Sequence, residues 1–146
     1  MADQAILREV TLTLPLETPD VEIAASNTAT AIAESMAMSV DKIDEVRMAV
    51  VEACINAKEH SRSPDRRVRL TCEVLGERVP EILRITVHDN GVGFDPGAVE
   101  RPEIKTKIKA PDKRGWGLEI MRGLMDEVEI HSGADGTTVV MTKARG

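Results

Sequence analysis

Glu81-Ile82-Leu83-Arg84-Ile85-Thr86-Val87-His88-Asp89-Asn90-Gly91-Val92-Gly93-Phe94 reads as a strand that ends on a carboxylate, an amide and two glycines. Leu83, Ile85 and Val87 alternate with Arg84, Thr86 and His88, the period of a strand with one buried face and one less apolar face. Gly91 and Gly93 then let the backbone approach a ligand closely. A plain hairpin turn is the alternative, since Asn-Gly is also a strong hairpin signal. Two clusters on either side weigh against it: Glu52-Ala53-Cys54-Ile55-Asn56-Ala57-Lys58-Glu59-His60 upstream and Lys113-Arg114-Gly115-Trp116-Gly117-Leu118 downstream.

Working outward from that strand, Val68, Leu70 and Cys72 form a preceding strand that turns back through Gly76 to Pro80. Ser61 to Asp65 has loop composition. Ahead of it, Ser39 is placed to cap a helix running to about His60, whose Ile43, Val46, Val50, Ala53 and Ala57 recur at three- and four-residue steps. Asp20 offers the N-cap of an earlier helix from Val21 to about Met38, with Ile23, Ala24, Ala31, Ile32, Met36 and Met38 available for its apolar stripe. Val10, Leu12 and Leu14 alternate with Thr11 and Thr13 as a half-buried first strand ended by Pro15.

Beyond the glycines, Asp95 to Arg114 holds three prolines and six Lys or Arg with little periodicity, and reads as a mobile loop. Leu118, Met121, Leu124 and Met125 mark a third helix. Strands from about Glu127 to Ser132 and Thr137 to Lys143 close around a Gly133-to-Gly136 turn. Strands and helices alternate only coarsely, so a helical layer on one face of a mixed sheet is expected rather than a doubly wound parallel sheet.

At 146 residues and 42% apolar content the chain is expected to form one domain, residues 1–146, without help from disulfides or metal. One Phe, one Trp and no Tyr argue against base stacking, and 19 basic against 25 acidic residues give a net charge of −6 that repels a phosphate backbone. Nucleic acid is therefore not an expected partner; a basic protein fits the sign better. Cys54 and Cys72 lack C-x-x-C spacing and read as buried thiols. No apolar run approaches the roughly 18 residues of a membrane span, and Met1 to Pro15 lacks the pattern of a signal peptide, so the expectation is a cytoplasmic protein with no membrane partner.

Glu52, Asn56 and His60 stand at i, i+4 and i+8, one polar line along a helix. Such a line commonly just faces water. Here its residue types match the needs of a magnesium nucleotide: an amide oxygen for Mg²⁺, a carboxylate for proton abstraction, and a His near phosphate. Asp89 at its strand end can accept a hydrogen bond from an exocyclic amine, which selects adenine over guanine. Arg114-Gly115-Trp116-Gly117 leads into a helix whose glycine amides can bind phosphate, with Lys113 or Arg114 adding charge at the γ-phosphate. A simple capped loop is as common for that last pattern.

The three clusters in this order, with Gly136-Thr137 after them, resemble the N, G1, G2 and final boxes of the histidine-kinase-like ATPase superfamily. Glu52-Ala53-Cys54-Ile55-Asn56, His60, Gly115-x-Gly117-Leu118-x-Ile120-Met121 and Met125-Asp126-Glu127-Val128 are similar to the RsbW type of anti-sigma factor and serine-protein kinase. The likeness covers nearly the whole chain.

The resemblance implies an α/β two-layer sandwich, with a mixed, mainly antiparallel sheet and helices packed on one face. It implies that Asn56 coordinates Mg²⁺, that Glu52 is the base activating an incoming hydroxyl, and that Asp89, helped by Thr137, reads the adenine of ATP. Gly91, Gly93, Gly115 and Gly117 shape the pocket and its lid, Leu118 is counted among the nucleotide contacts, and His60 lies near the phosphates. The implied substrate is a serine on a STAS-domain antagonist, with a sigma factor as second partner and a homodimer as a common state. Two departures stand out: Lys113-Arg114 where many relatives have Arg-Ser, and Trp116 in place of an aliphatic residue. Trp116 either covers the nucleotide or offers a partner an apolar contact.

The competing reading is a non-catalytic, ATP-gated clamp that sequesters a sigma factor or other switch partner. The catalytic half of a sensor histidine kinase needs a phosphoacceptor helix pair for which this chain has no room. An ATPase of the gyrase or chaperone kind needs a longer lid and coupling domains.

Overall fold

A computed structural model describes residues 4–60, 66–90, 117–133 and 136–146. The elements run β1 (Ala5–Pro15), α1 (Val21–Ser35), α2 (Val40–His60), β2 (Arg67–Gly76), β3 (Ile82–Asp89), α3 (Gly117–Leu124), β4 (Glu127–Gly133) and β5 (Gly136–Ala144). The expected loops at 61–65 and 95–114 lie outside the described residues.

The strands order as β1-β2-β3-β5-β4, and each pairing is antiparallel, the limiting case of the mainly antiparallel sheet expected. One sheet face packs under the helices, which gives the two-layer sandwich. Val68, Leu70, Cys72 and Val74 of β2, Leu83, Ile85 and Val87 of β3, and Val139 and Met141 of β5 are buried there against Val46, Val50, Ala53 and Ala57 of α2. The intervening residues of β3, Arg84, Thr86 and His88, take the opposite face, where Arg84 Nε meets Glu73 Oε1 at 2.7 Å. That pairing, with its hydrogen bond, raises the already high pKa of the guanidinium.

The first helix differs from its expected register. Met36 and Met38 are buried and Ile32 packs against the core as expected, but Ile23 is 48% exposed, Ala24 and Ala31 are exposed too, and the buried line within the helix runs through Val21, Ala25, Ala29 and Ala33 with Ser26 and Thr30. Two buried hydroxyls are tolerated because each bonds back to its own helix: Ser26 Oγ to the Ile23 carbonyl at 3.1 Å and Thr30 Oγ1 to the Ser26 carbonyl at 2.9 Å. Asp20 holds the N-cap position in a left-handed conformation and makes no side-chain cap bond. Ser39 does cap α2, accepting from the Lys42 amide at 3.2 Å.

The turn between α1 and α2 is a Schellman closure. The Met38 amide donates to the Ala33 carbonyl and the Ala37 amide to the Glu34 carbonyl, at 3.3 and 3.0 Å. Ala37 sits at φ 63°, where a Cβ is strained. Ala37→Gly is therefore expected to stabilise the fold by ~0.5–1 kcal/mol after the extra unfolded-state entropy of glycine is subtracted. A higher urea midpoint at unchanged slope checks this; a lower midpoint contradicts it.

Lys143 of β5 is buried on the helix side, yet its Nζ reaches Glu45 of α2 at 2.7 Å and the Leu124 carbonyl that ends α3. One satisfied cation thus ties both helices to the sheet. Cys54 and Cys72 are buried free thiols, each pushed up to about 12 mainly by burial, so neither is a nucleophile near neutral pH. Among the described residues no helix is long and apolar enough to cross a membrane.

Candidate functional site

One row of the helix-side sheet face breaks the apolar pattern. Reading across the strands it runs Leu14, Val68, Asp89, Thr137, Ser132, so the last pair of the β3–β5 ladder sets a carboxylate beside a hydroxyl. Asp89 and Thr137 are only 6% and 8% exposed, and Thr137 Oγ1 lies 2.8 Å from Ser132 Oγ. Polar side chains buried at a strand end, where an aliphatic one would pack without cost, point to recognition rather than folding.

Gly136 holds that pair in place. It takes φ +117°, and a Cβ there would stand 2.0 Å from the Asp89 carbonyl oxygen. Gly136→Ala is accordingly expected to cost about 2–4 kcal/mol, whereas Gly133→Ala, with open space around it, should stay within about 0.5 kcal/mol. Equal chemical-denaturation midpoints for the two variants would contradict this account of the hairpin.

Across from Asp89, α2 supplies Asn56 one turn after Glu52. Glu52 Oε1 and Asn56 Oδ1 are the two buried side-chain oxygens without a hydrogen-bond partner among the described residues. Each is an acceptor left unmatched at a cost of ~1–3 kcal/mol, which makes them candidates for an incoming cation or donor. Gly117, the first residue of α3, packs on the Asn56 amide: a Cβ at Gly117 would lie 2.9 Å from Asn56 Nδ2.

A partly open hollow joins these elements, lined by Asn56, Ala53 and Ala57 of α2, Val87 and Asp89 of β3, Leu118 of α3, and Ile130, Thr137 and Val139 of the last two strands. Asn56, Asp89, Leu118 and Thr137 therefore share one cavity; Gly117 abuts Asn56, and Glu52 stands one helical turn before it. His60 ends α2, and nothing is described of its side chain; Gly91, Gly93, Lys113, Arg114 and Gly115 lie outside the described residues. Lys58, off the polar line, pairs with Glu22 of α1 at 3.4 Å. The apolar lining of Ala53, Ala57, Val87, Ile130 and Val139 was not singled out as a site from sequence. Its signal was present, since each residue sits on the inward period of an element that also bears a polar site residue.

The chemistry available is that of a site with apolar walls for a flat ring, an acceptor at the strand end for an amine, and unmatched oxygens at the far side for a metal and a proton. Among the described residues no cluster of three or more His, Cys, Asp or Glu could hold a metal by itself. A divalent ion there would be shared with a ligand, as Mg²⁺ commonly is with substrate phosphates.

Residues 16–143 match the Histidine kinase-like ATPase domain family. Serine-protein kinase RsbW of Bacillus cereus and that of Bacillus thuringiensis subsp. konkukian are each 31% identical over 117 residues, covering 77% of this chain and 70% of the relative. Among solved structures, the RsbU and RsbW domains of Rv1364c from Mycobacterium tuberculosis superpose with a TM-score of 0.68 at 20% identity, over 95% of this chain and 33% of that one. A blue-light activated histidine kinase from Erythrobacter litoralis gives 0.55 at 21% identity, over 90% and 62%. The chain thus spans a third of the first structure's length and under two thirds of the second's, and these two likenesses concern the fold.

Proposed function

The chain belongs to the histidine kinase-like ATPase family, of the RsbW type, and from that premise we propose that it is an ATP-dependent serine-protein kinase acting on a STAS-domain antagonist and serving as an anti-sigma factor in a partner switch. The observation that carries the proposal is the pair of unmatched buried oxygens one turn apart on α2, Glu52 Oε1 and Asn56 Oδ1, the second on a residue lining a hollow that continues to Asp89 and Thr137.

In this reading Asp89 accepts from the adenine amine, Thr137 supports it, and Val87, Val139, Ile130 and Leu118 enclose the base. The amide of Gly117, at the N-terminus of α3, faces the phosphates, with Gly115 and Lys113 or Arg114 ahead of it in the chain. Gly91, Gly93 and His60 keep the roles that the family resemblance gives them. Asn56 Oδ1 fits a magnesium ion, which when bound would offset phosphate charge and fix the triphosphate. Glu52 takes the proton of the substrate serine as its oxygen bonds to the γ-phosphorus. The bond from that phosphorus to the bridging oxygen breaks, and ADP leaves with the electron pair.

The test is incubation with Mg-ATP and a purified STAS-domain protein encoded beside the gene, scored by the mass of the product. One added phosphoryl group on a serine is expected; an unmodified partner under conditions where ATP binds contradicts the kinase reading. The net charge of −6 favours a second activity, ATP-gated capture of a basic surface on a sigma factor, and pull-down with and without ATP tests it. Self-association belongs to the same proposal: β1 is an edge strand on which Ile6 and Val10 stand 49% and 42% exposed.

A further inference from the structure

The open face of the sheet carries a side-chain bridge directly behind the Asp89–Thr137 pair. His88 is registered against Thr138 of β5, and its Nδ1 lies 2.6 Å from Thr138 Oγ1 while its Nε2 lies 2.7 Å from Asn90 Oδ1. An amide oxygen only accepts, so Nε2 carries a proton; a neutral ring then accepts at Nδ1 from the Thr138 hydroxyl. If the ring is protonated the hydroxyl turns and accepts instead, so the bridge survives either state.

Each bridged residue is the chain neighbour of a residue in the hollow: Asn90 follows Asp89, and Thr138 follows Thr137. The β3–β5 ladder ends at Asp89 and Thr137. Asn90 is the next residue after the ladder's last pair, and strand ends open most readily. The imidazole bridges the two strands from behind at the last pair of their ladder.

We propose that His88 is a positioning residue for nucleotide recognition, holding Asn90 to Thr138 so that the Asp89 carboxylate stays aimed at the base. His88 touches no part of the hollow itself; it acts through Asp89. The proposal rests on the nucleotide reading above and adds a specificity consequence to it. A loosened Asp89 should lose discrimination between adenine and guanine as well as affinity, because a poorly aimed acceptor penalises the wrong base less.

The experiment is calorimetric titration of Mg-ATP and Mg-GTP into the full chain and into His88→Phe, which keeps a ring but removes both bonds, and His88→Gln, whose amide restores one donor and one acceptor. His88→Phe is expected to raise the ATP dissociation constant about tenfold, the worth of one to two hydrogen bonds, and to narrow the ATP-over-GTP ratio. His88→Gln should recover most of both. Asn90→Ala, at an exposed position, is the second route should His88→Phe fold poorly; it should reproduce the loss, and adding His88→Gln to it should bring no recovery.

Unchanged affinity and base preference in His88→Phe or Asn90→Ala, with the wild type binding ATP, would overturn this inference alone. Equal loss in His88→Phe and His88→Gln would overturn it too, since ring packing rather than the bridge would then matter. A wild type that binds neither nucleotide would remove the nucleotide reading itself.

Discussion

Glu52→Gln is expected to lower the rate of serine phosphorylation by about 10²–10⁴-fold while the dissociation constant for Mg-ATP stays within about threefold of wild type. The substitution keeps the shape and one carbonyl-type oxygen but removes the capacity to take a proton. Glu52 lies one helical turn before Asn56, and its Oε1 is buried with no partner. Nothing in the described structure engages that oxygen, so its replacement should disturb the fold little. Phosphotransfer measured at saturating ATP, alongside calorimetric binding, separates the two effects. Wild-type transfer rates in the variant would remove Glu52 as the base. Lost binding would instead assign it to holding the nucleotide.

Asp89→Asn is expected to weaken ATP binding by about 10–100-fold, the worth of a hydrogen bond to a charged acceptor in a buried setting. The side chain is 6% exposed and set beside Thr137 in the last rung of the ladder. The nearly isosteric amide keeps the packing, but one of its orientations turns a donor toward the donor of the base. The readout is the rise in melting temperature on adding Mg-ATP: the wild type should gain several degrees at millimolar ligand and the variant markedly less, because stabilisation follows RT ln(1 + [L]/Kd). An equal gain in both proteins would detach Asp89 from recognition.

The strands were legible because their periodicity is strong. Leu83, Ile85 and Val87 reach the core as read, and Asp89 follows them on the same face. The α2 stripe through Val46, Val50, Ala53 and Ala57 was equally plain. The first helix was legible at its C-terminal end, in Ile32, Met36 and Met38, but not at its start, where Ala25 and Ala29 are small and Ser26 and Thr30 satisfy their own hydroxyls, so a scale that prizes large apolar side chains favoured Ile23 instead. Val10 was expected to be half-buried and is 42% exposed, since a strand at the sheet edge lacks cover that its alternation cannot foretell.

At the candidate site, residue types and their order singled out Glu52, Asn56, Asp89 and Thr137, the last three of which line one hollow, but not what closes the space between them. That depends on the crossover that sets β5 between β3 and β4, and on the contact of Gly117 with the Asn56 amide. Neither contact is local in sequence, and neither has a composition signal. Gly136 was read as part of a turn and, with Thr137, as the final box of the resemblance. Its left-handed backbone and its approach to the Asp89 carbonyl make it a support of the Asp89–Thr137 pair. The His88 bridge escaped for a related reason: Thr138 lies 50 residues away along the chain.

The most direct measurement is a crystal structure of the chain with magnesium and a non-hydrolysable ATP analogue. The predicted result places the adenine amine about 3 Å from the Asp89 carboxylate and the metal about 2.1 Å from Asn56 Oδ1, in the hollow between α2 and the sheet. A nucleotide bound elsewhere, or bound there without meeting either side chain, would contradict the account.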